Sequence, residues 1–258
     1  MIRRISRAWR IAGTGISFSV FGILGLLMTV VVFPVMRLAV RDPVQRAFAN
    51  QRLVHWGFRF FVRLMVTLGV MALDVRDGHL LAQPGQLVIA NHPTLIDIVV
   101  LVSLMPQADC VVKKEAWSNP FMRGVVSATG YLPNDGGEAL VEACTERLRA
   151  GRSLVLFPEG TRSPERGIGP FRRGFAHVAL ATGCPLRTVV IRADPPALMR
   201  GQPWYDVPER RLRLTVECGR TGDPKKLSDG AASRGAGARR ISNALRDFYG
   251  ETLQTRRP

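Results

Sequence analysis

Hydrophobic positions divide the chain into two regimes. From Ile11 to Met36 the sequence reads IAGTGISFSVFGILGLLMTVVVFPVM, without a charged residue. Pro34 lacks a backbone donor, so the pattern predicts a helix over Ile11–Phe33 that stops there. At about 1.5 Å per residue it reaches roughly 34 Å, enough for a hydrocarbon core of ~30 Å. The run is longer than a signal-peptide core, and no A-x-A-like cleavage site follows it. A second apolar stretch, Leu53–Leu73, sets His55, Arg59 and Arg63 on one helical face, with Phe58, Phe61, Leu64, Met65 and Leu68 over much of the rest. It predicts a helix lying in the membrane interface with its basic side chains toward headgroups. Four arginines precede the first run (Arg3, Arg4, Arg7, Arg10) and four follow it (Arg37, Arg41, Arg46, Arg52). Charge therefore selects no orientation, and a helix pair lodged in one leaflet accounts for two basic flanks.

Beyond residue 74 short β-rich runs alternate with helical ones. Strands are expected over Leu73–Arg76, Gln86–Ala90, Cys110–Lys113, Ser153–Phe157, Leu186–Ile191 and Leu212–Glu217. Helices are expected over Leu95–Leu104, Pro120–Ser127, Glu138–Ala150, Phe171–Ala181 and Ala238–Tyr249. In the third of these, Leu140, Cys144 and Leu148 share a face and Gly151 follows the end. The stretch Gly219–Gly237 is rich in Gly, Ser, Lys and Arg and is expected to be a surface loop. The predicted fold class is α/β: a mixed, largely buried sheet flanked by helices, preceded by N-terminal membrane helices. The division is 1–72 for a membrane-anchoring helix pair and 73–258 for the α/β domain.

Composition narrows the partners. Of 258 residues, 36 are Lys or Arg and 20 are Asp or Glu, a net charge of +16, while 47% are hydrophobic. That combination excludes a disordered basic tail and suits an anionic membrane surface, nucleic acid or an acidic protein. No basic motif with interleaved aromatics is present, so no nucleic-acid partner is expected. The four cysteines form no C-x-x-C pair and the histidines are scattered, so no metal is expected and the thiols are read as reduced. There is no G-x-S-x-G elbow, P-loop or dinucleotide fingerprint.

Three candidate constellations lie at predicted strand ends. The first is Asn91-His92-Pro93-Thr94-Leu95-Ile96-Asp97. A carboxylate one turn beyond a histidine can bond one ring nitrogen, fix the tautomer and leave the other nitrogen as a base; Thr94 is placed at the helix N-cap. The second is Phe157-Pro158-Glu159-Gly160-Thr161-Arg162-Ser163, in which Gly160 permits close backbone approach and Arg162 offers a fork of donors for phosphate. Arg172 and Arg173 follow at a helix start. The third carries Lys113 and Lys114 and runs on to Gly130-Tyr131-Leu132-Pro133.

Taken in order, NHPTLID, KKEAW with its GYLP continuation, FPEGTRS and CPLRTVVI resemble the glycerolipid acyltransferase family, which includes 1-acylglycerol-3-phosphate acyltransferases. The resemblance covers roughly Leu73–Glu217. It implies His92 and Asp97 as the catalytic pair, and Glu159, Gly160, Thr161 and Arg162 as headgroup-binding residues, with Lys113 and Arg172 as further candidates. It implies transfer of an acyl group from acyl-CoA or acyl-carrier protein to a lysophospholipid hydroxyl, without a cofactor. It further implies membrane phospholipids and an acidic carrier protein as partners, at the inner membrane with the catalytic domain facing the cytoplasm. Two departures stand out. Pro93, Thr94 and Leu95 occupy positions where members often carry Ser and Trp, and Asn134-Asp135 follows Pro133 where an arginine is frequent. The second departure keeps open a specialised lipid acceptor. A non-catalytic basic membrane scaffold is the rival reading.

Overall fold

The computed structural model describes residues 2–165 and 167–255. Helix α1 (Ile2–Leu27) runs through a π-helical turn (Met28–Val32) into α2 (Phe33–Ala39). Pro34 therefore does not end the helix. In the wider turn the Phe33 N–H reaches the Met28 carbonyl, and Pro34 falls in the first turn of α2, where a missing donor costs nothing. The continuous apolar helix Ser6–Ala39 is long enough to cross a membrane, and only 17% of its most apolar window is buried.

After a short turn α3 (Pro43–Thr67) returns antiparallel, capped by the Asp42 carboxylate accepting from Gln45 N–H at 2.7 Å. The two limbs interlock through aromatics: Phe21 lies 4.8 Å from Phe61 and 5.7 Å from Phe58, centroid to centroid. Helix α3 starts ten residues before the expected Leu53, because Asp42-Pro43 is a strong helix start whose polar first turns mask the periodicity. Its expected basic face is split. Arg59 and Arg63 are exposed, whereas His55 is buried and donates through Nδ1 to the Val102 carbonyl at 2.8 Å.

The domain that follows comprises β1 (Met71–Arg76), β2 (Leu87–Ala90), α4 (Asp97–Leu104), β3 (Asp109–Val112), α5 (Arg123–Ala128), β4 (Leu132–Pro133), α6 (Gly137–Arg149), β5 (Leu154–Leu156), α7 (Gly174–Thr182), β6 (Leu186–Asp194), β7 (Leu212–Gly222), α8 (Pro224–Leu227) and α9 (Arg234–Thr255). The seven strands form one sheet in the order β1-β7-β6-β2-β5-β3-β4. All neighbours are parallel except β6 and β7, so β1 and β7 run against the other five. The stretch 219–237 is not a single loop: β7 continues to Gly222, Asp223 caps α8, and α9 begins at Arg234.

Strand β2 explains the layering. All four of its residues are buried. Val88 and Ala90 face the core under α3 and α4, while Leu87 and Ile89 face the core under α6, α7 and α9. Helices cover both faces, as a parallel sheet requires. At the C-terminal end of β2 two side chains complete its pairing. Asn91 exchanges two 2.8 Å hydrogen bonds with the Ile191 backbone, and the Tyr249 hydroxyl of α9 donates to the Ile89 carbonyl at 2.6 Å. The residue that follows, His92, leaves a strand end fixed from three sides.

Candidate active site

His92 emerges from β2 into the turn that starts α4. Its Nδ1 lies 2.8 Å from Asp97 Oδ2. Asp97 is fully buried and opens α4, where the helix dipole favours a carboxylate. Thr94 is not the N-cap. It donates to Asp97 twice, from its backbone N–H at 2.6 Å and its hydroxyl at 2.5 Å. Pro93 sits between them without a donor to compete. The carboxylate thus holds three donors in one tight turn and orients the imidazole. Phe157, at the end of β5, stacks on the ring with centroids 4.2 Å apart. His92 Nε2 has no hydrogen-bond partner among the described residues.

A cavity of about 690 Å³ opens beside the ring. Its polar wall brings together His92, Lys113, Gly160, Thr161, Arg162 and Arg172, six of the eight candidates read from the sequence. Its apolar wall curls past Val111 and Leu156 toward Val141, Cys144 and Val178 of α6 and α7. Positive φ at Gly160 (+66°) shapes the turn, and a Cβ there would lie 2.9 Å from Arg172 Nε, so only glycine admits that guanidinium over the loop. Arg172 is held in turn by its backbone N–H on the Pro158 carbonyl, 2.7 Å.

Asp97 stands behind His92, where the spacing puts it, and does not line the cavity. Glu159 is placed otherwise than expected: it is turned away from the cavity, 5% exposed. Its Oε1 accepts from the Ser163 hydroxyl at 2.5 Å and the His92 N–H at 3.3 Å, and its Oε2 accepts from the Gly169 N–H at 2.8 Å. Ser163 closes the frame, donating its own N–H to the His92 carbonyl at 2.7 Å. Glu159 and Ser163 therefore fasten the two strand-end loops together. Arg162 lines the cavity, but its Nη1 donates to the Leu198 and Met199 carbonyls at 3.1 and 2.8 Å, holding the loop that brings Arg200 to the same wall. Arg200 belongs to none of the sequence motifs, and only the fold delivers it to this wall.

Burial pushes the Cys144 thiol up to about 12, so a cysteine in the apolar wall is a filler and not a nucleophile.

The family model Acyltransferase matches residues 72–192, a span that holds both loops. Among curated proteins, 1-acyl-sn-glycerol-3-phosphate acyltransferases are similar. That of Cocos nucifera is 31% identical over 45% of this chain and 40% of its own length. That of Helicobacter pylori is 36% identical over 37% and 43%, and that of Salmonella typhimurium 34% over 40% and 45%. The chain thus spans less than half the length of these relatives. The crystal structure of the 1-acyl-sn-glycerophosphate (LPA) acyltransferase PlsC from Thermotoga maritima superposes with a TM-score of 0.68 at 19% identity, covering 99% of both chains, and so shares the fold.

Proposed function

Residues 72–192 being an acyltransferase-family segment, we propose that this protein transfers a fatty acyl group from a thioester to the hydroxyl of a lysophospholipid, most simply 1-acylglycerol 3-phosphate, in phospholipid synthesis. The observation that carries the reading is the clamped imidazole: Asp97 on Nδ1, a partnerless Nε2, and an apolar cavity beside it.

The chemistry balances without a cofactor. His92 Nε2 takes the proton of the acceptor hydroxyl as that oxygen attacks the thioester carbonyl carbon. Asp97 stabilises the imidazolium that forms. The C–O bond forms, the C–S bond breaks, and the thiolate leaves with the proton that His92 carried. A thiolate is a good leaving group, so no covalent acyl-enzyme is required. Lys113, Thr161, Arg162, Arg172 and Arg200 present the positive wall that suits an acceptor phosphate or a donor phosphate. Acyl-CoA or acyl-carrier protein is the donor. The chain's net charge of +16 suits both, and also suits seating the domain against anionic lipid on the cytoplasmic face of the inner membrane.

Asn134 in the cavity wall, where the family often has arginine, favours a second reading: an acceptor other than lysophosphatidate. One experiment addresses both. Purified enzyme is given acyl-CoA or acyl-carrier protein with lysophosphatidate, lysophosphatidylglycerol, lysophosphatidylethanolamine and a lyso-aminolipid. Turnover highest with lysophosphatidate supports the first reading, and turnover highest with another acceptor supports the second. Binding to vesicles without turnover on any acceptor would leave a membrane scaffold.

A further inference from the structure

A second cavity of about 690 Å³ lies between the helical hairpin and the domain, and shares no lining residue with the one beside His92. Four arginines line it: Arg37 and Arg46 from the hairpin, Arg147 at the end of α6, and Arg152 just beyond. No Asp or Glu lines it among the described residues. The hairpin contributes one acid in residues 1–70, Asp42, which caps α3.

The four guanidiniums are held in place unequally. Arg152 pairs with buried Asp109 at 2.5 Å and lies 4.6 Å over the Phe48 ring. Arg46 donates to the Val40 and Arg41 carbonyls at 3.0 and 3.3 Å. Arg37 has no hydrogen-bond or ion-pair partner among the described residues, and Arg147 feels the buried Asp109 as a nearby charge without a hydrogen bond to it. Four cations against one carboxylate, facing one concavity, repel one another until an anion enters. A polar atom waits there too. Asn50, 2% exposed, donates to the Ala128 carbonyl at 2.9 Å and leaves its buried Oδ1 without a partner. That oxygen suits a headgroup hydroxyl or a protonated phosphate oxygen.

We propose that this cavity is a phosphate-group site, occupied by the headgroup of an anionic membrane phospholipid. Guanidinium forks match phosphate oxygens. The neighbouring surface supplies a path for lipid tails: Val35 and Leu38 on α2 and Val44 at the start of α3 are 56%, 83% and 56% exposed. The inference stands apart from the acyl-transfer reading, and its test reads binding, not turnover.

The full chain in non-ionic detergent is offered dioleoylphosphatidylglycerol or dioleoylphosphatidylcholine, and retained lipid is counted by native mass spectrometry. The expected result is preferential retention of phosphatidylglycerol, reduced about tenfold by Arg37→Gln with Arg147→Gln. Arg59→Gln with Arg63→Gln removes the same charge from the exposed face of α3 and is expected to change retention less than about twofold. Arg37→Lys with Arg147→Lys keeps the charge but removes the forks, and is expected to recover only part of the binding. Equal losses in both glutamine pairs would reduce the site to general surface attraction, and no loss in the first pair would overturn it. Inorganic phosphate distinguishes the source: arginine-dependent binding of free phosphate without retained lipid would reject the lipid headgroup.

Discussion

Two cavities of equal volume, about 690 Å³ each, lie on different parts of this molecule, and their walls differ in kind. The one beside His92 combines a base, a cationic rim and an apolar wall. The one under the hairpin has cations and no base. Both are proposed to take a phosphate, but only the first is lined by a side chain that can accept a proton at neutral pH, His92. The difference lies less in charge than in the group behind the wall. Asp97, fully buried, fixes one nitrogen of His92 and leaves the other facing outward. Asp109, equally hidden, spends itself on Arg152 and Gln51 and orients no reactive atom. Burial leaves the Asp109 carboxyl above the ordinary carboxylate range, with Arg152 pulling it back.

Replacing Asp97 by Asn should abolish the contrast. The imidazole loses its anionic partner, and turnover should fall by about 10²- to 10⁴-fold with little change in KM. Steady-state acyl transfer checks this, and a fall under about threefold would detach Asp97 from the chemistry. Arg152→Met tests the other carboxylate. It strands Asp109 in the core, and stability should drop by about 3–5 kcal/mol, read as a denaturation midpoint. A midpoint close to wild type would show that Asp109 is not dependent on the pair. Between these extremes lies Glu159→Gln. It sets an amide NH2 against a buried donor in the frame that fastens the two loops, so turnover should fall about tenfold and stability by about 1–3 kcal/mol. If KM alone changes, Glu159 touches substrate after all. Arg200→Gln should raise KM for a phosphorylated acceptor severalfold and leave kcat near wild type; an unchanged KM across such acceptors would remove Arg200 from the binding wall. The smallest effect belongs to Cys144→Ala, expected to leave turnover within about twofold, because burial pushes that thiol up to about 12 and little thiolate exists at neutral pH.

Much of this was legible beforehand. Strand-end motifs stand out because Asn-His-Pro follows the apolar run LVIA and a proline cannot continue a central strand. The alternation of strands and helices follows from local pattern, while the pairing of His92 with Asp97, possible by spacing, is implied by the family resemblance. What the sequence concealed was context. Pro34 reads as a terminator because periodicity does not disclose a π-turn that makes its missing donor harmless. His55 reads as basic surface because the helix that covers it, α4, lies 47 residues away at their hydrogen bond. Glu159 is a ligand only by the family resemblance, and local sequence does not disclose that Ser163 and Gly169 close on its carboxylate. Arg200 belongs to no motif, and only the two bonds from Arg162 reveal why its loop is held at the cavity.

The central claim is that an imidazole steered by Asp97 is the base for acyl transfer. It is tested most directly by single-turnover transfer from labelled acyl-CoA to 1-acylglycerol 3-phosphate, comparing wild type with His92→Ala in the same vesicles. The account predicts at least about a hundredfold slower product formation with vesicle binding retained; equal rates in the two proteins would contradict it.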